Sequence, residues 1–120
     1  MDESILESVK KSLGIVPEYQ YFDDQLILYI NAALAVLVQT GVGTAGFVIT
    51  GPESKWSDFL GEKMTALEYS KVYVAMKVKL MFDPPQSSGA LQALKDLVAE
   101  YEWRGYIECD ELILDKDGSD

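Results

Sequence analysis

The sequence predicts an all-α protein: a small helical bundle of about four to five helices, with a long Gly-rich loop and a candidate short β segment. Three observations carry this. Apolar residues recur at three- and four-residue spacing in several separate stretches. The glycines and prolines that would break a helix fall at the ends of those stretches. The chain has 120 residues, 48% hydrophobic and 25% charged, an ordinary composition for one globular domain with a thin core.

Residues 4–13 predict a first amphipathic helix with Ile5, Leu6, Val9 and Leu13 on one side, ended by Gly14 and Pro17. Lys10 and Lys11 lie near its end, where cations favour the helix dipole. An aromatic connector, Tyr19, Tyr21 and Phe22, leads to a second helix. Asp23 is its expected cap, and Phe22 is placed to staple onto Ile27. Leu26, Ile27, Ile30, Leu34, Leu37 and Val38 form its apolar face, and Gly41 is the expected left-handed residue at its end. Residues 41–54 make a long connection for so small a domain. Within it Phe47-Val48-Ile49-Thr50 is strand-like, β-branched and bounded by glycines. A short helical turn over Trp56 to Leu60 follows, stopped by Gly61.

The stretch from Thr65 to Arg104 organises the rest. It reads as two helices joined by a corner at Asp83-Pro84-Pro85. Thr65 and Glu68 form a candidate capping box for the first. Ser87 or Ser88 is placed to cap the second, whose buried line is Leu91, Leu94, Leu97, Val98 and Tyr101. On the first helix, Glu68, Lys71, Ala75 and Lys79 fall on one line and Ser70 and Lys77 on the other side; most remaining positions are apolar. Such a helix is central to a bundle. It is either the core helix of this chain alone or one that a second copy helps to cover. From Gly105 onward an acidic tail carries a second strand-like run, Leu112-Ile113-Leu114. The expected organisation is a helical domain over 1–104 and a tail over 105–120.

Charge narrows the function classes. Net charge is −10 with no histidine, and residues 100–120 hold eight acids against Arg104 and Lys116. Duplex binding would need a basic patch, and none is visible. The acidic, amphipathic start does not read as a signal peptide, and no apolar run is long enough to span a membrane. Cys109 is alone, so one chain cannot build a disulfide framework or a thiolate metal cluster.

Two motifs tempt and fail. Gly41-Val42-Gly43-Thr44-Ala45-Gly46 spells G-x-G-x-x-G, yet a helix precedes it and a strand-like run follows, the reverse of a dinucleotide site. Asp115-x-Asp117-Gly118 resembles the opening of a calcium loop, but the sequence stops short of twelve loop residues. Without histidine, the common general bases and zinc ligands are missing. The expectation is no enzyme activity, no cofactor and no metal.

The residues Phe22-Asp23, Ile30-Asn31-Ala32-Ala33, Gln39-Thr40-Gly41-Val42-Gly43, Gly46-Phe47, Trp56-Ser57-Asp58-Phe59-Leu60, Phe82-Asp83-Pro84-Pro85 and Glu102-Trp103-Arg104 occur in that order. Together they resemble the head–tail connector, adaptor or head-completion, proteins of long-tailed double-stranded DNA phages and prophages, over about residues 3 to 104. The resemblance implies a small all-α fold and a virion protein, in the host cytoplasm during assembly. It implies a cyclic homo-oligomer between the portal protein and a downstream stopper or tail-completion protein. DNA would pass through that ring without specific binding, and no membrane is involved. The alternative is an acidic helical interaction or regulatory module unrelated to virions. Candidate subunit or portal contacts are Phe47, Val48, Ile49, Trp56, Lys77, Trp103 and Arg104. Trp and Arg are frequent interface anchors, Phe47 to Ile49 sit in the long loop, and Lys77 stands apart from the Lys71/Lys79 line.

Overall fold

The computed structural model describes residues 3–118, and side chains as far as Trp103. Five α-helices follow in order: α1 (Ile5–Ser12), α2 (Asp23–Gln39), α3 (Trp56–Leu60), α4 (Leu67–Phe82) and α5 (Ser88–Gly118). A 3-10 turn, Met64–Ala66, leads into α4. The fold is an all-α bundle, as the periodicity predicts.

The first two helix ends follow from glycine. Gly14 and Gly41 adopt φ of 79° and 95°, a region open to residues without a Cβ. This turns the chain so that the Ile15 N–H donates to the Lys10 carbonyl at 2.8 Å, and the Val42 N–H to the Leu37 carbonyl at 2.9 Å. Both are Schellman closures. In the second, Val42 and Leu37 are both buried, which supplies the apolar contact such ends favour.

Helix α4 is the centre. It packs against α1, α2 and α5, and buries Ser70, Tyr73, Val74 and Val78. Ile5, Leu6 and Val9 of α1, and Leu26, Ile30, Ala33, Leu34 and Leu37 of α2, complete the main core. Trp56, Phe59 and Leu60 of α3 close it from the loop side. Three helices of its own chain therefore cover much of α4. Of its large apolar side chains only Val72 is exposed, at 39%. The polarity pattern of α4 reflects a crowded centre, and the broader exposed apolar surface lies elsewhere.

Several sequence expectations need correction. Thr65 and Glu68 form no capping box, because Thr65 lies in the 3-10 turn and α4 begins at Leu67 without a side-chain cap. Asp23 is the first residue of α2 rather than its cap, and its carboxylate is drawn to Lys10 instead. Phe22 sets its ring edge-on to Phe82 of α4, with centroids 5.0 Å apart. No strand forms among the described residues; an isolated bridge joins Ser4 and Lys55. Leu112 to Leu114 continue the backbone of α5, which passes Gly105 and runs to Gly118. At 1.5 Å per residue that helix is about 46 Å long. The side chain of Ser87 does cap α5, accepting the Ala90 N–H at 3.1 Å.

Candidate functional site

Without a sheet, the loop from Gly41 to Ser54 must find other partners for its backbone. Asn31, on α2, provides them. Its amide accepts the Ile49 N–H at 2.8 Å and donates to the Ile49 carbonyl at 3.0 Å, imitating the paired bonds of a neighbouring strand. This explains why Phe47 to Thr50 look like a strand in sequence yet form none. Further along, Thr44 takes the Phe59 carbonyl with both its N–H and its hydroxyl. Gly43 lies so close beneath Phe59 that a Cβ there would fall 2.2 Å from the ring. The G-x-G-x-x-G run is thus a helix end and a close packing point. Lys63 donates to the Gly41 carbonyl at 2.7 Å and ties the same corner from outside.

The candidate contact residues are not gathered in one place. Ile49 and Trp56 are each 1% exposed. The Trp56 indole N–H donates to the Ser8 hydroxyl at 2.9 Å, so this tryptophan anchors α3 to α1. Phe47 is half-buried, its ring 5.3 Å from that of Phe59. Val48, between them, is 58% exposed. Removing residues 47–49 would therefore take Ile49 out of the core and disturb the fold itself. Trp103 is 63% exposed on α5, at the far side from the loop in sequence. The side chain of Arg104 lies outside the described residues.

Lys77 has an explanation within its own chain. Its ammonium lies 3.3 Å from the Glu102 carboxylate, and the same oxygen accepts the Tyr73 hydroxyl at 2.6 Å. Burial, and then the Glu102 carboxylate, hold the Tyr73 phenol well above its usual range. Nearby the Tyr69 ring stacks on Tyr101, centroids 5.4 Å apart, and its hydroxyl donates to the Tyr101 carbonyl. These polar contacts fasten α5 to α4 beside Val98, the buried residue among the described side chains of α5. Lys77→Glu would set two acids against each other here, loosening α5 before touching any partner.

Lys10 escaped the sequence reading. It is 1% exposed, and its three donors are all used: the Pro17 carbonyl at 2.9 Å, the Tyr19 carbonyl at 2.7 Å and the Asp23 carboxylate at 2.8 Å. It clasps the aromatic connector onto the bundle. No sequence signal separates it from Lys11, apart from its place one residue after Val9 on the buried side. On the opposite flank of α1, Lys71 of α4 reaches Glu3 at 2.6 Å and holds that carboxyl below its usual range.

Among the described residues no group of three or more His, Cys, Asp or Glu is placed to hold a metal ion. No helix among them is long and apolar enough to cross a membrane. The exposed side of α2 carries Leu28, Ala32, Ala35 and Gln39, with Val48 at its edge through the Asn31–Ile49 bonds.

Comparison with known proteins agrees with a contact role. A family profile described as Phage connector protein matches residues 5–111 of the chain. Neither the curated proteins nor the solved structures return a match.

Proposed function

Because the chain belongs to the phage connector protein family, we propose that it is a virion adaptor at the capsid vertex. Copies form a ring between the portal and the stopper or tail-completion proteins, complete the head and continue the DNA channel. The observation that carries this is the family match, which spans α1 to α4 and most of α5. It leaves the alternative of a module unrelated to virions without support. The helical fold is consistent with it, and the role needs no catalytic group.

A ring subunit meets its neighbours with two different patches, head to tail. Of the candidate contact residues, Val48 and Trp103 have the exposure such a patch needs, while Ile49 and Trp56 support the fold beneath. Residues 1–104 act as the connector domain and the acidic 105–120 as its tail. A net charge of −10 suits the wall of a channel through which DNA slides without sticking.

Mixed with portal rings of the same phage, the chain should add a further ring visible by electron microscopy. Failure to bind portal rings or portal-bearing heads would overturn the proposal. Strong, salt-sensitive binding to duplex DNA would overturn the channel-wall reading alone.

A further inference from the structure

Charge is spread over this chain with one long gap. From Gln25 to Pro52 no Asp, Glu, Lys or Arg occurs, although a quarter of all residues are charged. The gap is not explained by burial. At about 100° per residue, Leu28, Ala32, Ala35 and Gln39 fall together on α2, opposite Leu26, Ile30 and Leu37. Leu28 is 66% exposed, and Ala32, Ala35 and Gln39 are exposed as well. Asn31 lies beside that line and holds Ile49, so the 58% exposed Val48 extends the same uncharged surface.

We infer that this α2 face, with Val48 at its edge, is where a second copy of this chain docks. The inference rests on the adaptor reading and deepens it by naming the surface. The argument is electrostatic. A basic partner would gain from the acidic surfaces that the chain shows elsewhere, such as Glu7 on α1 and Asp96 and Glu100 on α5. A charge-free face offers such a partner nothing. It is the partner of like sign that needs one, because every acid near the contact would repel it. A second copy, itself at −10, is that partner. Small residues at Ala32 and Ala35 let a neighbour approach the helix backbone, and Leu28 and Val48 supply apolar area at either side.

From Leu28 to Gln39 the strip is about 17 Å by 10 Å, bounded at its N-terminal end by exposed Asp24, and so falls short of the ~800 Å² per partner typical of a stable pair. Free copies should associate weakly, and copies held by a portal ring more strongly. Screening of like charges predicts that added salt strengthens the contact, the reverse of binding to a basic partner.

The test is sedimentation velocity on the full chain, alone at high concentration and with portal rings, at low and high salt. Wild type should self-associate in one or both settings, more at high salt. Leu28→Glu and Ala35→Glu should each weaken this by about ten-fold or more, with thermal melting unchanged, since both sites are solvent-facing. Ala99→Glu, on the exposed side of α5, should leave it unaltered. If the α2 variants assemble like wild type, the face is wrong and the adaptor reading stands. If they lose only portal binding, the occupant is the portal and the inference falls. Wild type that binds the portal only as isolated copies also overturns it. Wild type that neither self-associates nor meets the portal removes the adaptor reading too.

Discussion

The two ends of the chain are held in different ways. From α1 through α3, buried and half-buried polar groups stitch the elements together: Lys10 clasps the connector, Asn31 pairs with Ile49, and Trp56 joins Ser8. Helix α5 rests on α4 through Val98, half-buried Leu94 and Tyr101, and a partly exposed cluster of tyrosine, lysine and glutamate. The first region spends its side chains on its own fold. Among its described side chains the second leaves most, Leu97 and Trp103 included, facing outward. The difference teaches that exposure in the native chain, more than residue type, separates residues that hold this subunit together from residues that stand largely in solvent.

The two tryptophans put that to the largest test. Trp56→Ala should cost about 3–5 kcal/mol, as for a fully buried aromatic, and leave little folded chain at 37 °C. Trp103→Ala should cost less than about 1 kcal/mol. Urea unfolding followed by circular dichroism reads both. Comparable losses would show that α5 is as firmly held as α3, and the contrast would disappear.

Lys10→Met comes next. It removes the cation but keeps the length of the stem, so the lost part is the polar clasp. The Asp23 carboxylate and two carbonyls would be left without their donor, at a cost on the order of 3 kcal/mol. Because Asp23 is partly exposed, water will recover some of this. Adding Asp23→Asn to Lys10→Met should cost little more, since their effects are coupled. Additive losses in that cycle would mean that Lys10 acts through packing alone.

How much of this was legible in the sequence follows the same division. The α2 end at Gly41, the helix from Trp56 to Leu60, the corner at Asp83-Pro84-Pro85 and the Ser87 cap rest on local rules, and they stand where expected. Long-range pairings were not legible. Only its register one residue after Val9 hints that Lys10 turns inward while Lys11 stays out, and nothing local tells that Asp23 answers a charge thirteen residues back instead of capping its own helix. Phe47 to Thr50 read as strand-like because they are β-branched and bounded by glycines, yet no strand forms there, and the side-chain amide of Asn31 takes both backbone groups of Ile49 instead. Lys77 looked isolated for a related reason: its partner, Glu102, lies on the next helix.

Asn31→Ala should have a smaller effect. Two hydrogen bonds to Ile49 are lost, one group of which is buried, for a cost of about 1–3 kcal/mol. The more telling reading is local. Amide exchange at Ile49 should quicken well beyond what the global loss allows, while the amides in the middle of α4 follow global stability. Uniform quickening would place the loop and the core in one cooperative unit.

The smallest effect sharpens the comparison from the α5 side. Tyr73 keeps its proton in the folded chain far above the pH at which a free phenol, near 10, gives it up. The unfolded chain therefore binds fewer protons than the folded one above about pH 10, and stability must fall as pH rises there. Below that pH the contribution is fully present. The limiting slope for one group is about 1.4 kcal/mol per pH unit. Tyr73→Phe isolates the phenol: it should cost about 1 kcal/mol at pH 7, through the lost bond to Glu102, and then lose less than wild type between pH 10 and 11. Denaturant midpoints at pH 7, 10 and 11 decide it. Parallel declines in the two proteins would mean that Tyr73 ionises as freely folded as unfolded, and that the contact of α4 with α5 opens to water at that point.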